Sequence, residues 1–438
     1  MRKIIVSHEL PPEANAMALA MYSRDPQSFD VHLETVNRVG PEKFLSQYYV
    51  GYGHKSIGDC GSTTICAENV SMLCAKAIQQ WALYNGQEAS TRYIDMRKQE
   101  ILNPLKTKAG KEIQDGWMKI YNKMLEVLPP YLKEKFPIRE DENPKVYERA
   151  INAKAFDIAR SLLPAGATTY VGWHTNLRQA VDHLAELRNH PLDEIKETAE
   201  EIAGELHKKY PSSGFDKRYE ETESFIRSYM DEYIYLEPET KLKKNQQKNF
   251  SSTNAFNTKA IKKYKDLLAK RPQKTELPFF LKKFGTITYQ FLLDFGSFRD
   301  LQRHRSGIIL MPPLTTRYGF NKWYLEQIPK KFQKEVLDVI KKQTKKIHSL
   351  KCDEKIKQYY TAMGFNVMCG CTFDLPAGTY LAELRSGQTV HPTLRIVAQE
   401  MGKTLQKLFP YMRLYCDYSP DLWSSKRGTQ TITKKSEN

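Results

Sequence analysis

At 438 residues, 40% hydrophobic and 27% charged, the chain has room for two domains with cores of their own, and its profile excludes a wholly disordered protein. A formal charge of +16 and a pI near 9.2 select anionic partners: nucleic acid, nucleotides, folates or dinucleotides. Seven cysteines, Cys60, Cys66, Cys74, Cys352, Cys369, Cys371 and Cys416, form no C-x-x-C unit. Neither a zinc site nor a disulfide framework is expected, no stretch reaches the length of a membrane span, and a reducing cytoplasmic setting follows.

In chain order, residues 1–6 are too short for a signal-peptide core and read as a first strand. Residues 61–70 have the imperfect alternation of a half-buried strand, and a helical stretch follows over residues 71–81. Long amphipathic helices are predicted over residues 115–135 and 191–209. Residues 241–274 are rich in Lys, Asn, Gln and Ser, with Lys243, Lys244, Lys248, Lys262, Lys263 and Lys265 conspicuous. They read as a solvated connector, helical in part from Lys259, with an RNA- or DNA-binding patch as the alternative. The earlier pattern then returns: a β-like run over residues 286–295, a helical stretch over 297–304, and long helices over 330–348 and 392–408. A polar, basic tail begins at Ser424.

That return is an internal repeat. Leu184-Ala185-Glu186-Leu187-Arg188 recurs unchanged as Leu381-Ala382-Glu383-Leu384-Arg385, and each copy is soon followed by His-Pro, at His190-Pro191 and His391-Pro392. Upstream in each half stands Thr-Arg-Tyr, at Thr91-Arg92-Tyr93 and Thr316-Arg317-Tyr318. Three markers in one order and in matching settings mark two divergent copies joined in tandem near residue 245.

No G-x-G-x-x-G or Walker A sequence is present, so neither Rossmann nor P-loop binding is supported. Arg303-His304-Arg305 is the sharpest local feature. Two guanidinium groups flanking an imidazole can hold a pyrophosphate or the polar edge of a flavin, and such a triplet can equally be exposed helix surface. In the first copy, Gly53-His54-Lys55-Ser56 precedes the strand and helix, and Glu88-Ala89-Ser90-Thr91-Arg92-Tyr93 follows them. A hydroxyl and a guanidinium two residues apart on an extended loop can face one phosphate; a turn histidine and a turn hydroxyl are the plain alternatives for His54 and Ser90. Tyr93 and Tyr318 read as packed core tyrosines, Trp173 and His174 as pocket lining, and Cys369 and Cys371 as buried strand cysteines.

Taken as an ordered set, these residues resemble the flavin-dependent thymidylate synthases (ThyX). That family carries Gly-His-x-Ser/Thr, a strand and helix ending in Arg-His-Arg, Ser-x-Arg-Tyr, Ala-Arg-x-x-Leu-Pro, Asn-x-Arg and Leu-Arg before a helix. The first copy matches with Gly53-His54-Lys55-Ser56, Ser90-Thr91-Arg92-Tyr93, Ala159-Arg160-Ser161-Leu162-Leu163-Pro164, Asn176-Leu177-Arg178 and Leu187-Arg188. It has Gln80-Trp81-Ala82 where the triplet belongs. The second copy keeps Arg303-His304-Arg305, puts Thr315 for the serine, and carries Leu277-Pro278-Phe279-Phe280, residues 358–363 and Asp374-Leu375-Pro376 in place of the other motifs.

The resemblance implies an α+β fold of two tandem ThyX-like domains, each a mainly antiparallel sheet packed with long helices. The boundaries it sets are residues 1–240 and 275–423, with the connector at 241–274 and the tail at 424–438. It implies a one-carbon transfer from methylenetetrahydrofolate to C5 of a pyrimidine nucleotide such as dUMP, with FAD and NADPH. The losses are complementary, so the two copies are expected to pool residues in composite sites, in a homodimer that forms a four-domain pseudo-tetramer. Glu88, Ser90, Arg92 and Arg160 are then expected on the nucleotide, and Arg188 on the uracil, with Arg385 repeating its role or bracing its helix. His54, Ser56, Asn176, Arg178, Arg303, His304, Arg305 and His391 are expected on the flavin or folate. The alternative is a nucleotide- or nucleic-acid-binding protein that kept the fold and lost the reaction.

Overall fold

The computed structural model describes residues 10–51, 53–92, 94–233 and 250–425. The strand expected at residues 1–6, Tyr93, the lysines Lys243, Lys244 and Lys248, and the tail beyond Ser425 lie outside the described residues. The fold is α+β with two sheets. Strands β1 (Ser62–Ser71), β2 (Asn85–Glu88) and β3 (Thr168–Asn176) lie in the order β1-β3-β2, antiparallel where β2 meets β3. Strands β4 (Phe250–Asn254), β5 (Thr286–Asp294), β6 (Ile308–Ile309) and β7 (Asn366–Asp374) form an antiparallel sheet in the order β4-β5-β7-β6.

The helices used below are α1 (Pro12–Tyr22), α2 (Phe29–Val39), α3 (Met72–Gln79), α4 (Lys108–Lys135), α5 (Pro144–Ala159), α6 (Leu177–Arg188), α7 (Asp193–Lys209), α8 (Glu220–Tyr233), α9 (Phe295–Leu301), α10 (Lys330–His348), α11 (Leu375–Ser386) and α12 (Pro392–Leu408). Among the described residues no helix is long and apolar enough to cross a membrane. Two compact units emerge, and neither is one half of the chain: the first takes Met1–Val70, Ala77–Glu88 and Tyr170–Ile234, the second Ser71–Lys76, Ala89–Thr169 and Tyr235–Asn438.

In the first unit, α1 lays Met17 and Ala18 against Phe29 and Val36 of α2, and turns Ala16 and Ala20 toward Leu45, Tyr49 and Ile57. The Gly53 that opens Gly-His-x-Ser has φ +69°, a turn conformation that a β-carbon disfavours. In the second unit, α4 begins where Thr107 caps Gly110 N at 3.1 Å. Its buried side chains Ile113, Trp117, Ile120, Tyr121, Met124, Leu128 and Leu132 follow helical spacing. It packs on α5 and α10, and Trp117 Nε1 donates to Tyr360 O at 2.9 Å. β4 lies within the stretch expected to be a solvated connector and pairs with β5 from Phe250↔Phe291 to Asn254↔Ile287. Phe250 packs on Tyr289 and Phe291, while Phe256, Ile261 and Leu268 are buried, so scattered apolar residues give this lysine-rich stretch a place in a sheet and core.

The element order recurs. β1, α3, β2, α4, a 3-10 turn at Arg160–Leu162, β3, α6 and α7 answer β5, α9, β6, α10, a 3-10 turn at Gln358–Tyr360, β7, α11 and α12. Within this order β3 and β7 each have 9 residues, α6 and α11 each 12, and α7 and α12 each 17. Asn176 caps α6 by accepting from Gln179 N at 2.8 Å, and Asp374 caps α11 by accepting from Ala377 N at 2.8 Å. Inside the second unit the two 3-10 turns meet through reciprocal backbone bonds. Ala165 N donates to Thr361 O (3.0 Å) and Met363 N to Leu163 O (2.9 Å); Gly166 N donates to Tyr359 O (2.9 Å) and Gly364 N to Ser161 O (2.7 Å). Pro164 faces Ala362 at the centre of this local two-fold relation.

Candidate functional site

The second unit brings together Ser90, Arg92, Arg160, Arg303, His304, Arg305, Arg385 and His391. Asp300, near the end of α9, is the hub for Arg92, Arg160, Arg303 and Arg385. Arg303 Nε lies 3.6 Å from its carboxylate, and Arg385 Nη2 donates to its carbonyl at 3.0 Å. Burial pushes the Asp300 carboxyl up, but Arg160, Arg303, Arg92 and Arg385 outweigh it and hold it below the usual carboxylate range. Arg92, from the first half of the sequence, and Arg303 and Arg385, from the second, therefore share one charge environment.

His304 is buried and accepts from Arg385 Nε at its Nε2 (2.7 Å). Arginine cannot accept, so the ring proton of His304 resides on Nδ1. Burial first, then the Arg385 charge, pushes the His304 pKa down to about 3, so the imidazole is neutral at any ordinary pH.

Beside this pair opens a cleft of about 430 Å³ lined by Lys282, Arg303, His304, Arg305, Tyr380 and Arg385, with Glu276 its acidic member among the described residues. The triplet itself follows the last turn of α9, since the helix ends at Leu301. An excess of cations at one mouth is the chemistry of an anion site. The phosphate-bearing part of a flavin dinucleotide meets a suitable donor set here, and Arg303, Arg305, Arg385 and Lys282 are the residues that would hold it.

The expected nucleotide residues lie in closed surroundings. Arg92 forks onto Asp157 at 2.7 and 3.4 Å and donates to Thr389 O at 3.2 Å, while Ser90 Oγ accepts from Arg92 N at 3.3 Å. A like turn stands at residues 315–317, with Thr315 Oγ1 accepting from Arg317 N at 3.2 Å. Arg299 of α9 reaches Thr91 Oγ1 (3.2 Å) and Ala89 O (3.4 Å), which pins the loop. Arg160 is 3% exposed and donates to Ser297 Oγ at 3.4 Å. Burial opposes its charge, but Tyr324, Asp157, Asp300 and Asp294 outweigh the burial and raise its pKa.

His391, expected on a cofactor, is wholly buried and belongs to the same network. Its Nδ1 lies 3.1 Å from Ser297 Oγ and 2.9 Å from Thr393 Oγ1, and its ring is walled by Trp323 and Tyr324. Tyr324 and Thr393 both donate to Asp294, at 2.7 and 2.5 Å. Burial, then Arg160, hold the His391 pKa well below its ordinary value. Tyr318, expected in a core, is half-buried with the Arg317 guanidinium 5.0 Å from its ring centre.

The remaining expected residues belong to the first unit. His54 and Ser56 are exposed on the turn around Lys55–Cys60. Glu88 accepts from Gln79 Nε2 at 3.0 Å. Asn176 serves as the α6 cap, and Arg178 pairs with Asp59 at 2.8 Å. Arg188 donates to Glu223 of α8 at 2.7 Å, and Asn189 donates to the other oxygen of that carboxylate. Trp173 is core, packed edge-on against His183, and His174 is exposed and bonded to Thr64.

The two halves differ most where the triplet stands. Trp81 stacks on His183 with ring centres 4.8 Å apart, and its Nε1 donates to Gln179 Oε1 at 2.8 Å. In the second half the answering rings are His304 and Tyr380, 5.9 Å apart beside the open cleft. His183 and Tyr380 each stand one residue before Leu-Ala-Glu-Leu-Arg. The sequence reading missed Asp157, Lys282, Asp294, Asp300 and Tyr380. Asp157 and Asp300 each precede their arginine, Arg160 and Arg303, by three residues, a spacing that could have flagged them.

Residues 5–212 match the family model described as thymidylate synthase complementing protein. A UPF0159 protein of Chlamydia pneumoniae is 24% identical over 433 residues, covering 86% of this chain and 81% of that protein. A UPF0159 protein of Thermoplasma acidophilum is 23% identical over 467 residues, covering 89% of this chain and 93% of that protein. One of Chlamydia muridarum is 22% identical over 441 residues, covering 86% and 81%.

Proposed function

We propose, from the premise that residues 5–212 belong to the thymidylate synthase complementing protein family, that the chain is a divergent tandem duplicate and a flavin-dependent enzyme of thymidylate synthase type. The observation that carries this reading is the cationic cleft of Arg303, Arg305, Arg385 and Lys282, built on the triplet that the second copy retains. Bound there, FAD would supply hydride transfer, with NADPH as its reductant and methylenetetrahydrofolate as the source of the carbon passed to C5 of a pyrimidine nucleotide such as dUMP.

The chain's own residues have defined tasks in this reading. Arg303 and Arg305 bind the anion by charge-assisted hydrogen bonds. Arg385 holds His304 with its proton on Nδ1, leaving an uncharged donor beside the arginines. Asp300 spaces the four guanidinium groups, whose mutual repulsion would otherwise splay the cleft. A homodimer with four pseudo-equivalent domains is the assembly proposed with it.

The test is flavin content. Purified protein should carry flavin absorption or acquire it with added FAD, and Arg303→Ala should lose it; dUMP should then change the rate of NADPH oxidation. A colourless protein that takes up no FAD rejects the enzyme. Three contacts favour a second reading, a binding protein that lost the reaction, because the arginines expected on the substrate are already occupied: Arg92 is held by Asp157, Arg160 stands among carboxylates, and Arg188 is held by Glu223. Nucleotide binding without flavin would select that reading.

A further inference from the structure

A second compartment of about 340 Å³ opens beside the cationic cleft, and Glu276, Tyr380 and Leu384 line both. Its chemistry differs. Arg271 sits in its wall but is spent internally: the guanidinium grips both Glu383 oxygens, donates to Thr275 O and Arg413 O, and lies 5.3 Å from the Tyr415 ring centre. With that charge neutralised, the compartment presents largely ring and aliphatic surface. Tyr380 is 48% exposed and Leu384 46%, unusual for large apolar side chains one helical turn apart unless something covers them. The loop across the opening holds Lys274 at φ +62°, a conformation non-glycine residues adopt only when their surroundings impose it.

We propose that the two compartments are one bipartite site for a nucleotide. Its phosphates lie on Arg303, Arg305 and Lys282, and its uncharged heteroaromatic ring lies in the second compartment against Tyr380, Leu384 and Tyr415. Two physical arguments meet here. An anion gains most where cations are in excess, so the phosphate end is fixed in the first compartment. A charged group placed in the second would lose hydration for no more than the exposed Lys274 or Glu276 at its edge, whereas a neutral ring gains stacking and apolar contact with Leu277, Tyr380, Leu384 and Tyr415. Tyr380, common to both compartments, marks where ring and phosphate are joined.

This inference rests on the cleft being an anion site, as proposed above, and it does not depend on the ring being a flavin. The test titrates the full chain with inorganic pyrophosphate, AMP, dUMP and FAD by calorimetry, using wild type, Arg303→Ala, Thr275→Trp and Tyr415→Ala. Thr275 is exposed and Tyr415 half-buried, so these variants should fold. Arg303→Ala should weaken pyrophosphate and nucleotides alike, by about tenfold. Thr275→Trp, which fills the second compartment, and Tyr415→Ala should weaken the nucleotide that binds by about tenfold and leave pyrophosphate within about twofold, since neither residue lines the cationic cleft. Nucleotide affinity unchanged in both ring-side variants, or pyrophosphate weakened equally, overturns the proposal, as does a chain that binds none of the four probes. If AMP or dUMP shows the pattern and FAD does not bind, the flavin reading fails while the bipartite site stands.

Discussion

Arg385 Nε donates to His304 Nε2 across 2.7 Å, so the last residue of the repeated Leu-Ala-Glu-Leu-Arg segment fixes the protonation state of the histidine in the triplet. Arg385→Ala removes a cation that opposes protonation of this ring. The His304 pKa should rise from about 3 toward the ordinary 6.5, short of it because burial remains. Imidazole resonances followed against pH would report this; a pKa unmoved in the variant would mean that Arg385 has no hold on the ring.

The same histidine makes stability depend on pH. Its folded pKa lies below its unfolded value, so the unfolded chain binds the extra proton as pH falls below about 6.5. His304's contribution is fully present above that pH and is lost on acidification toward its folded value of about 3, at up to roughly 1.4 kcal/mol per pH unit. His391, also held neutral by burial, adds in the same direction. Denaturant midpoints should fall between pH 7.5 and 5, and His304→Asn should flatten the slope.

Arg92 and Asp157 form a pair in which the carboxylate is 0% and the guanidinium 15% exposed. Arg92→Ala removes the paired cation from a buried carboxylate that Arg160 also faces, and should lower the unfolding free energy by about 1–3 kcal/mol. Replacing both residues with apolar ones should recover part of that loss. A single variant as stable as wild type would show the pair to be dispensable.

Trp81 occupies the first copy's counterpart of the triplet, stacked on His183. Trp81→Ala should lower stability by roughly 1–2 kcal/mol through lost stacking and burial. Flavin absorption should stay unchanged, because the cleft at Arg303 does not include this ring. Loss of flavin in this variant would place cofactor contacts in the first copy instead.

The long helices were legible because their apolar spacing is strong: α10 and α12 have the bounds that their periodicity predicts, and α4 only begins earlier, at Lys108. β4 was not, since its Phe-Ser-Ser-Thr-Asn sequence on a sheet edge carries little alternation to read. At the site, the triplet was found from its own residue types. The surroundings of Arg160 could not be, because Asp294 and Tyr324 come from distant parts of the chain and only folding makes them neighbours. The partner of Arg188 was hidden similarly, as Glu223 lies in an otherwise unremarkable acidic helix start. Motif spacing identifies an arginine; it does not say whether the protein has already supplied its anion.

The reciprocal bonds between residues 161–166 and 359–364 bear on any attempt to dissect the molecule. A cut at the apparent linker would strip four main-chain donors and acceptors of their mates on each side and bare the faces that Trp117 and Phe365 now cover. Each fragment would carry unpaired polar backbone beside exposed rings, the makings of a precipitate. Mixed after separate expression, the same fragments have complementary edges through which to find each other.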